Sequence, residues 1–262
     1  MSNAALHVAR TGLDAQNTKM RVIANNLANV NTTAFKKDRA DFETLAYQHI
    51  VQAGSQADSE NKFALGLSLG SGVSLQGTSK LDTQGTLQET GNNLDLAIEG
   101  AGFFQLQRPD GTIGYTRAGN FSLTAEGTIV SADGLPLIPQ ITVPEGASQV
   151  SIGNDGTVTA VQPGQTEPTQ LGQVELARFA NASGLESVGN NLLIETAASG
   201  TPQTGVAGLE GRGTIRAGSL EGSNVNVVEE LVDMIETQRA YEVNSKMIKA
   251  TDEMLQYVNQ QL

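Results

Sequence analysis

The sequence predicts an α+β protein: long N- and C-terminal helices pair as a coiled-coil-like helical domain, and a central, mainly antiparallel β domain lies between them. Three observations predict this. The last forty residues, Ser223 to Leu262, contain neither glycine nor proline. Within them apolar side chains return every seventh position, at Val227, Met234, Tyr241, Ile248, Leu255 and Leu262. The first thirty residues carry a matching stripe of Leu6, Ala9, Leu13, Met20, Ile23, Leu27 and Val30, and a seven-residue repeat keeps a narrow apolar seam turned toward a partner helix.

The N-terminal helix is predicted over residues 3–30, with Ser2 or Asn3 able to cap it, a length of about 42 Å at about 1.5 Å per residue. It should end in the polar run Asn25 to Lys37, where four asparagines and two threonines compete for backbone hydrogen bonds. Residues 41–52 are predicted to resume as a short helix, and 53–69 to form an extended loop or hairpin. From Val73 onward, alternation and turn dipeptides dominate. Asp110-Gly111, Asp133-Gly134 and Asp155-Gly156 are hairpin signals, with Glu126-Gly127 a weaker one. Asn226 caps the C-terminal helix, with Glu229 three residues on completing a box and Glu230 also in the favourable first turn. Leu231 begins the intervening heptad position, which turns polar toward the end, while Met247, Ala250, Met254 and Val258 add a second apolar flank. Two flanks suggest more than one helical neighbour.

These features divide the chain into a helical domain of residues 1–31 plus 226–262, a connector over 32–75 with an extended loop or hairpin at 46–66, and a β domain over 76–225. The ends differ in charge. Residues 1–40 carry six basic against two acidic groups, a net +4, and residues 221–262 carry three against eight, a net −5. Opposite signs favour association of the two helices, although an exposed pair contributes only about 0–1 kcal/mol.

Composition excludes several functions. No cysteine is present, which removes disulfides, thiolate catalysis and cysteine-ligated metal. A net charge of −12 argues against nucleic acid as a partner. The first fifteen residues lack the apolar run of a signal peptide, and the longest uncharged stretch, Phe63 to Ser79, is too rich in glycine and serine to span a bilayer. Gly66-Leu67-Ser68-Leu69-Gly70 matches the G-x-S-x-G nucleophile elbow, but both histidines, His7 and His49, lie upstream where that fold requires one downstream. No histidine pairing fits a metal and no glycine pattern fits a nucleotide, so neither enzyme, metal nor cofactor is expected.

Three segments together resemble the bacterial flagellar rod and hook proteins. They are Thr11-Gly12-Leu13-Asp14 with Ile23 through Asn25, Asn26, Leu27, Ala28 and Asn29 to Thr32 and on to Phe35; Glu99 to Gln105 with Tyr115 to Phe121; and Ser223 to Val232 with Gln238, Arg239, Ala240, Tyr241 and Glu242. A length near 260 and the stretch from Tyr47 through Gly54 to Gly66 point to the distal-rod branch of the family. Ala34 departs from it, standing where the family usually has glycine.

The resemblance implies a non-enzymatic subunit of the flagellar basal body. It would polymerise helically into a rigid rod that crosses the periplasm and transmits torque from motor to hook. It further implies export by the flagellar type III machinery without a cleavable signal peptide. Its partners would be copies of itself, other rod and hook subunits, and the ring proteins of outer membrane and cell wall, without membrane insertion. The subunit contacts would be Leu6, Leu13, Met20, Ile23, Leu27, Val227, Leu231, Met234, Tyr241, Ile248 and Leu255. The alternatives are a proximal-rod or hook subunit of the same family or, from another class, a β-rich surface adhesin or binding module.

Overall fold

A computed structural model describes residues 2–52, 54–56, 64–144, 146–147, 149–162 and 167–261. The architecture is α+β: two long helices and mainly antiparallel sheets. The chain divides into two compact units. One comprises residues 1–27, 38–79 and 226–262, the other 28–37 and 80–225.

The first unit holds both helices, α1 (Ser2–Ala28) and α2 (Val227–Gln261), with four strands. The strands are β1 (Asp38–Thr44), β2 (Tyr47–Val51), β3 (Leu67–Gly70) and β4 (Val73–Lys80). β1 hydrogen-bonds to β4, and β2 pairs antiparallel with β3, Tyr47 opposite Gly70. The helix predicted over 41–52 is therefore corrected to two strands. Tyr47, Ile50 and Val51 suit an extended backbone, and the distant partners β3 and β4 supply the ladder that a local helical pattern cannot outweigh. Ser68 of the apparent nucleophile elbow lies inside β3, exposed and opposite His49, not at a strand-to-helix turn.

α2 starts as predicted: the Asn226 side-chain oxygen accepts the Val228 amide at 3.1 Å. On the strand side of α1, the Thr11 hydroxyl donates back to the Val8 carbonyl and accepts the Val73 amide. Gly72 makes this approach possible. Its φ is +116°, and a Cβ there would stand 2.2 Å from the Thr11 hydroxyl.

The second unit carries the β structure. β5 (Leu87–Glu89) pairs with the strand Ser219–Glu221, and β6 (Leu96–Glu99) with Thr214–Ala217. A larger sheet is built on β7 (Phe103–Gln107) and β8 (Ile113–Thr116), flanked by Glu175–Arg178 and Leu192–Ile194. Its core is mostly aliphatic, with Leu96, Ile98, Leu106, Ile129, Val158, Leu176 and Ile215 buried around the edge-to-face pair Phe104 and Phe121. Each large aliphatic group so buried contributes about 1.5–3 kcal/mol. Phe103, Tyr115 and Phe179 form a second cluster, so the sparse aromatics are concentrated here. The turn signals hold: Gly111, Gly127, Gly134 and Gly156 all have positive φ. Asp110 and Asp155 each accept both the amide and the hydroxyl of the threonine two residues on, bonds that hold these carboxyls below the usual range.

Candidate assembly surfaces

The helical unit shows which faces of α1 and α2 are used within the chain. Asn26 on α1 donates to Glu230 on α2 at 3.2 Å. Gly12 lies against Asn244, whose amide nitrogen is 3.1 Å from where a Cβ on residue 12 would be. These contacts pair the residues in opposite order, so the helices run antiparallel, and they are fourteen residues apart on each helix, a spacing of two heptads. Glu230 and Asn244 thus face α1; at heptad spacing from them Thr237 is buried and Thr251 half-buried, as are Met234 and Ile248. Thr237 and Thr251 satisfy their hydroxyls on the carbonyls four residues back, at 2.6 and 2.8 Å.

The large apolar groups of α2 lie mostly elsewhere. Val228, Val232, Ile235, Val243, Met247, Met254 and Tyr257 are all at least 51% exposed. Of the predicted contact residues, Ile23 is buried, Leu6, Leu13, Met20, Leu27, Met234 and Ile248 are half-buried, and Val227, Leu231 and Tyr241 are exposed. The Leu255 side chain lies outside the described residues. Across the β2–β3 pair, Tyr47, Ile50, Leu67 and Leu69 are exposed too, as are Gly54 and Gly66. Part of the stretch between those glycines lies outside the described residues.

The asparagine motif is built around Asn26. Its side chain donates to the Asp38 carbonyl at 2.9 Å and accepts the Asp38 amide at 2.9 Å, reading one residue's backbone in both directions. Asn25 reaches the Asp38 carboxylate, and Asn29 closes the next turn by accepting from Thr32. Leu27 is half-buried, Ala28 ends α1 exposed, and Phe35 is buried beneath the Lys80 ammonium. Gln238, Arg239 and Tyr241 are exposed, while Ala240 is half-buried.

A feature invisible in the sequence lies in the second unit. Lys36, Arg117 and Glu221, far apart in the chain, meet in a buried cluster. Glu221 has no exposed surface; it accepts from the Lys36 ammonium at 2.7 Å, the Gly85 amide at 3.0 Å and the Arg117 guanidinium at 2.9 Å. Arg117 also donates to the Gly100 carbonyl and Lys36 to the Thr83 carbonyl. Burial pushes the Glu221 carboxyl up, but Arg117 and Lys36 outweigh it and hold the group below the usual range. Burial and the neighbouring Arg117 pull the Lys36 ammonium below its ordinary value in spite of Glu221. Beside the cluster, the Glu221 carbonyl accepts the Ala34 amide, and Asn224 bonds to Lys37, Leu81 and Thr83. Each of the three recognisable segments supplies or adjoins one charge: Lys36 follows the first, Arg117 lies in the second, and Glu221 precedes the third. Ala34 sits at φ +57°, so the turn keeps the left-handed shape that glycine would adopt freely.

Among the described residues no group of acidic or histidine side chains is placed to hold a metal, and no helix is long and apolar enough to cross a membrane. A long α2 whose large apolar groups stay exposed marks a structural subunit built to associate, and the β unit is held internally by its buried ion cluster. Comparison with known proteins supplies the family. Residues 6–36 match the Flagella basal body rod protein profile, 97–160 the Flagellar hook protein FlgE/F/G D1 domain, and 216–261 the Flagellar basal body rod FlgEFG protein C-terminal region. The Flagellar basal-body rod protein FlgG of Buchnera aphidicola subsp. Acyrthosiphon pisum is 50% identical over 256 residues, covering 98% of each chain. That of Agrobacterium fabrum is 44% identical over 259 residues, covering 98% of this chain and 99% of its own. FlgF of Caulobacter vibrioides is 34% identical over 250 residues, covering 93% and 92%. The chain belongs to the flagellar basal-body rod proteins, on the FlgG branch, and is a structural subunit of the distal rod, not an enzyme.

Proposed function

We propose that this subunit polymerises helically, with α1 and α2 pairing as an antiparallel coiled coil that joins the helices of neighbouring copies in an inner tube. Residues 1–31 and 226–262 form that tube, and 76–225 the outside of the rod. The apolar contacts named from the sequence are its subunit interface, and the stretch 46–66 stiffens the lattice. The observation that carries the reading is the choice of faces on α2. Its own partner helix takes a line of small and polar groups, while Val228, Val232, Ile235, Val243 and Met247 stay open. A run of exposed large apolar groups of this kind, interrupted by Arg239, marks an interaction surface.

The rod so formed crosses the periplasm and meets other rod and hook subunits, and ring proteins of the outer membrane and cell wall along its outside. Export through the flagellar type III machinery, without signal cleavage, suits a chain free of disulfides. Negative-stain electron microscopy of concentrated protein tests the reading. Straight tubes are expected from the intact chain and none from a chain lacking residues 226–262; tubes from that truncation would refute it. Deleting 46–66 is expected to leave polymers that bend.

A further inference from the structure

Within the helical unit, α2 has two faces to offer α1, and it turns in the less apolar one. The open face carries Val228, Val232, Ile235, Val243 and Met247, each at least 51% exposed. The side facing α1 carries Glu230 and Asn244, with Thr237 and Thr251 at heptad spacing from them. Apolar burial alone favours the opposite choice, because every large aliphatic group moved inside is stabilising. Adjacent helix positions differ by about 100°, so a turn of about 100° around the helix axis would bring Val243 to where Asn244 now stands. The backbone hydrogen bonds of α2 are indifferent to such a turn. The phase has to be set by side chains.

Two contacts oppose the turn. Glu230 is 1% exposed and bonded to Asn26, itself 1% exposed. Asn26 cannot swing away to follow another partner, since both ends of its amide are fixed on the Asp38 backbone. Fourteen residues along, Gly12 leaves room for Asn244 at a separation where a larger neighbour would not fit. The negative charge of Glu230 is tolerable in the first turn of α2, where helix-terminal amides favour an anion. Rotating α2 would either drag that carboxylate out of its bond or bury an apolar group against an amide that has lost a partner, and buried polar groups are costly when unpaired. A single buried polar contact is known to select among otherwise similar helix pairings, at some expense in stability.

We propose that Asn26 and Glu230 form a phase lock that fixes the rotation of α2 and keeps its apolar face turned away from α1. Both act as positioning residues. In an assembling subunit the lock prevents the chain from consuming its own interface. That consequence rests on the polymer reading above, whereas the lock itself rests on the helical unit alone.

The absence of cysteine allows a direct test on the full chain. Val243→Cys and Asn244→Cys, introduced separately, report opposite phases through their reaction rate with a maleimide. With the lock intact, Val243→Cys is expected to react at least tenfold faster. In Asn26→Leu and in Glu230→Leu the ratio is expected to fall to about one or invert, with helix content by circular dichroism retained. Glu230→Leu leaves the Asn26 bonds to Asp38 in place, so it remains informative if Asn26→Leu unfolds the unit. Glu230→Gln keeps an acceptor for Asn26 and is expected to preserve the tenfold ratio. A ratio unchanged in both leucine variants, no difference in the otherwise unaltered protein, or loss of helix in both variants would overturn the lock. Labelling is carried out on dilute protein shown to be monomeric by sedimentation, so that no neighbouring copy covers Val243; failure to see tubes would then count against the assembly model and leave the labelling ratio as it is.

Discussion

Replacing Glu221 by glutamine is expected to destabilise the β unit by about 3–5 kcal/mol at neutral pH, the usual consequence of removing one member of a buried charge cluster. The geometry accounts for the size. The carboxylate has no exposed surface and accepts three hydrogen bonds of 2.7, 3.0 and 2.9 Å from Lys36, Gly85 and Arg117. Glutamine keeps one acceptor, but its amide group presents a donor to another donor, and two buried cations lose their counter-charge. Lys36 has one escape, which is to release its proton. For an ordinary lysine of pKa 10.5 that costs about 4.8 kcal/mol at pH 7, at about 1.36 kcal/mol per unit. Neutralisation therefore limits the Lys36 part of the loss to about 5 kcal/mol, while Arg117 keeps its charge and its bond to the Gly100 carbonyl. It also gives the variant a signature, because the deficit relative to the parent should shrink as pH rises and a neutral Lys36 becomes less costly. Urea unfolding followed by far-ultraviolet circular dichroism at pH 7 and pH 9.5 measures both quantities. A loss below 1 kcal/mol, or a deficit that does not narrow between these pH values, would show that the cluster is not held by charge.

The parent itself should respond to pH at both ends. Glu221 titrates below its unfolded value, so its contribution is present above about pH 4.5 and is lost as pH falls through the lower folded value. Lys36 also titrates below its unfolded value, so between its folded pKa and 10.5 the unfolded chain binds more protons and stability rises with pH. Denaturant midpoints from pH 3 to 10 check both signs; a midpoint that falls from pH 8 to 10 would contradict the Lys36 assignment. At the left-handed Ala34, glycine should change stability by no more than about 1 kcal/mol, since relief of about 1 kcal/mol of backbone strain is offset by the lost methyl and a freer unfolded chain. Valine at the same buried position should cost at least about 2 kcal/mol, and thermal melts of the two variants separate the cases. The double substitution Val232→Asp with Ile235→Asp, on the open face of α2, should leave the monomer's melting temperature within a few degrees while abolishing sedimentable polymer.

Much of this molecule was legible without coordinates. The glycine-free C-terminal heptads predicted α2, Asn226 predicted its start, and the Asp-Gly dipeptides predicted turns in which each glycine has positive φ. These are local matters: a cap, a turn or a helical repeat is decided by residues within a few positions of one another. Residues 41–52 went the other way. Their local pattern read as helix, yet β1 and β2 form because β4 and β3 arrive from sixteen or more residues along the chain to pair with them.

The ion cluster and the phase of α2 belong wholly to the tertiary structure. Lys36, Arg117 and Glu221 are each unremarkable in a chain of 28 acidic and 16 basic residues, and only folding removes water from all three at once. Periodicity shows that α2 has apolar faces but not whether its own chain or another copy covers them. A repeat in sequence fixes the angle between side chains around the helix axis and leaves the rotation of the helix as a whole free. By itself, the sequence determined the two helices, the β-rich centre and the family. The fold decided that the buried face of α2 is the polar one, because the clasp of Asn26 on Glu230 and the close approach at Gly12 outweigh a hydrophobic preference that has no direction of its own.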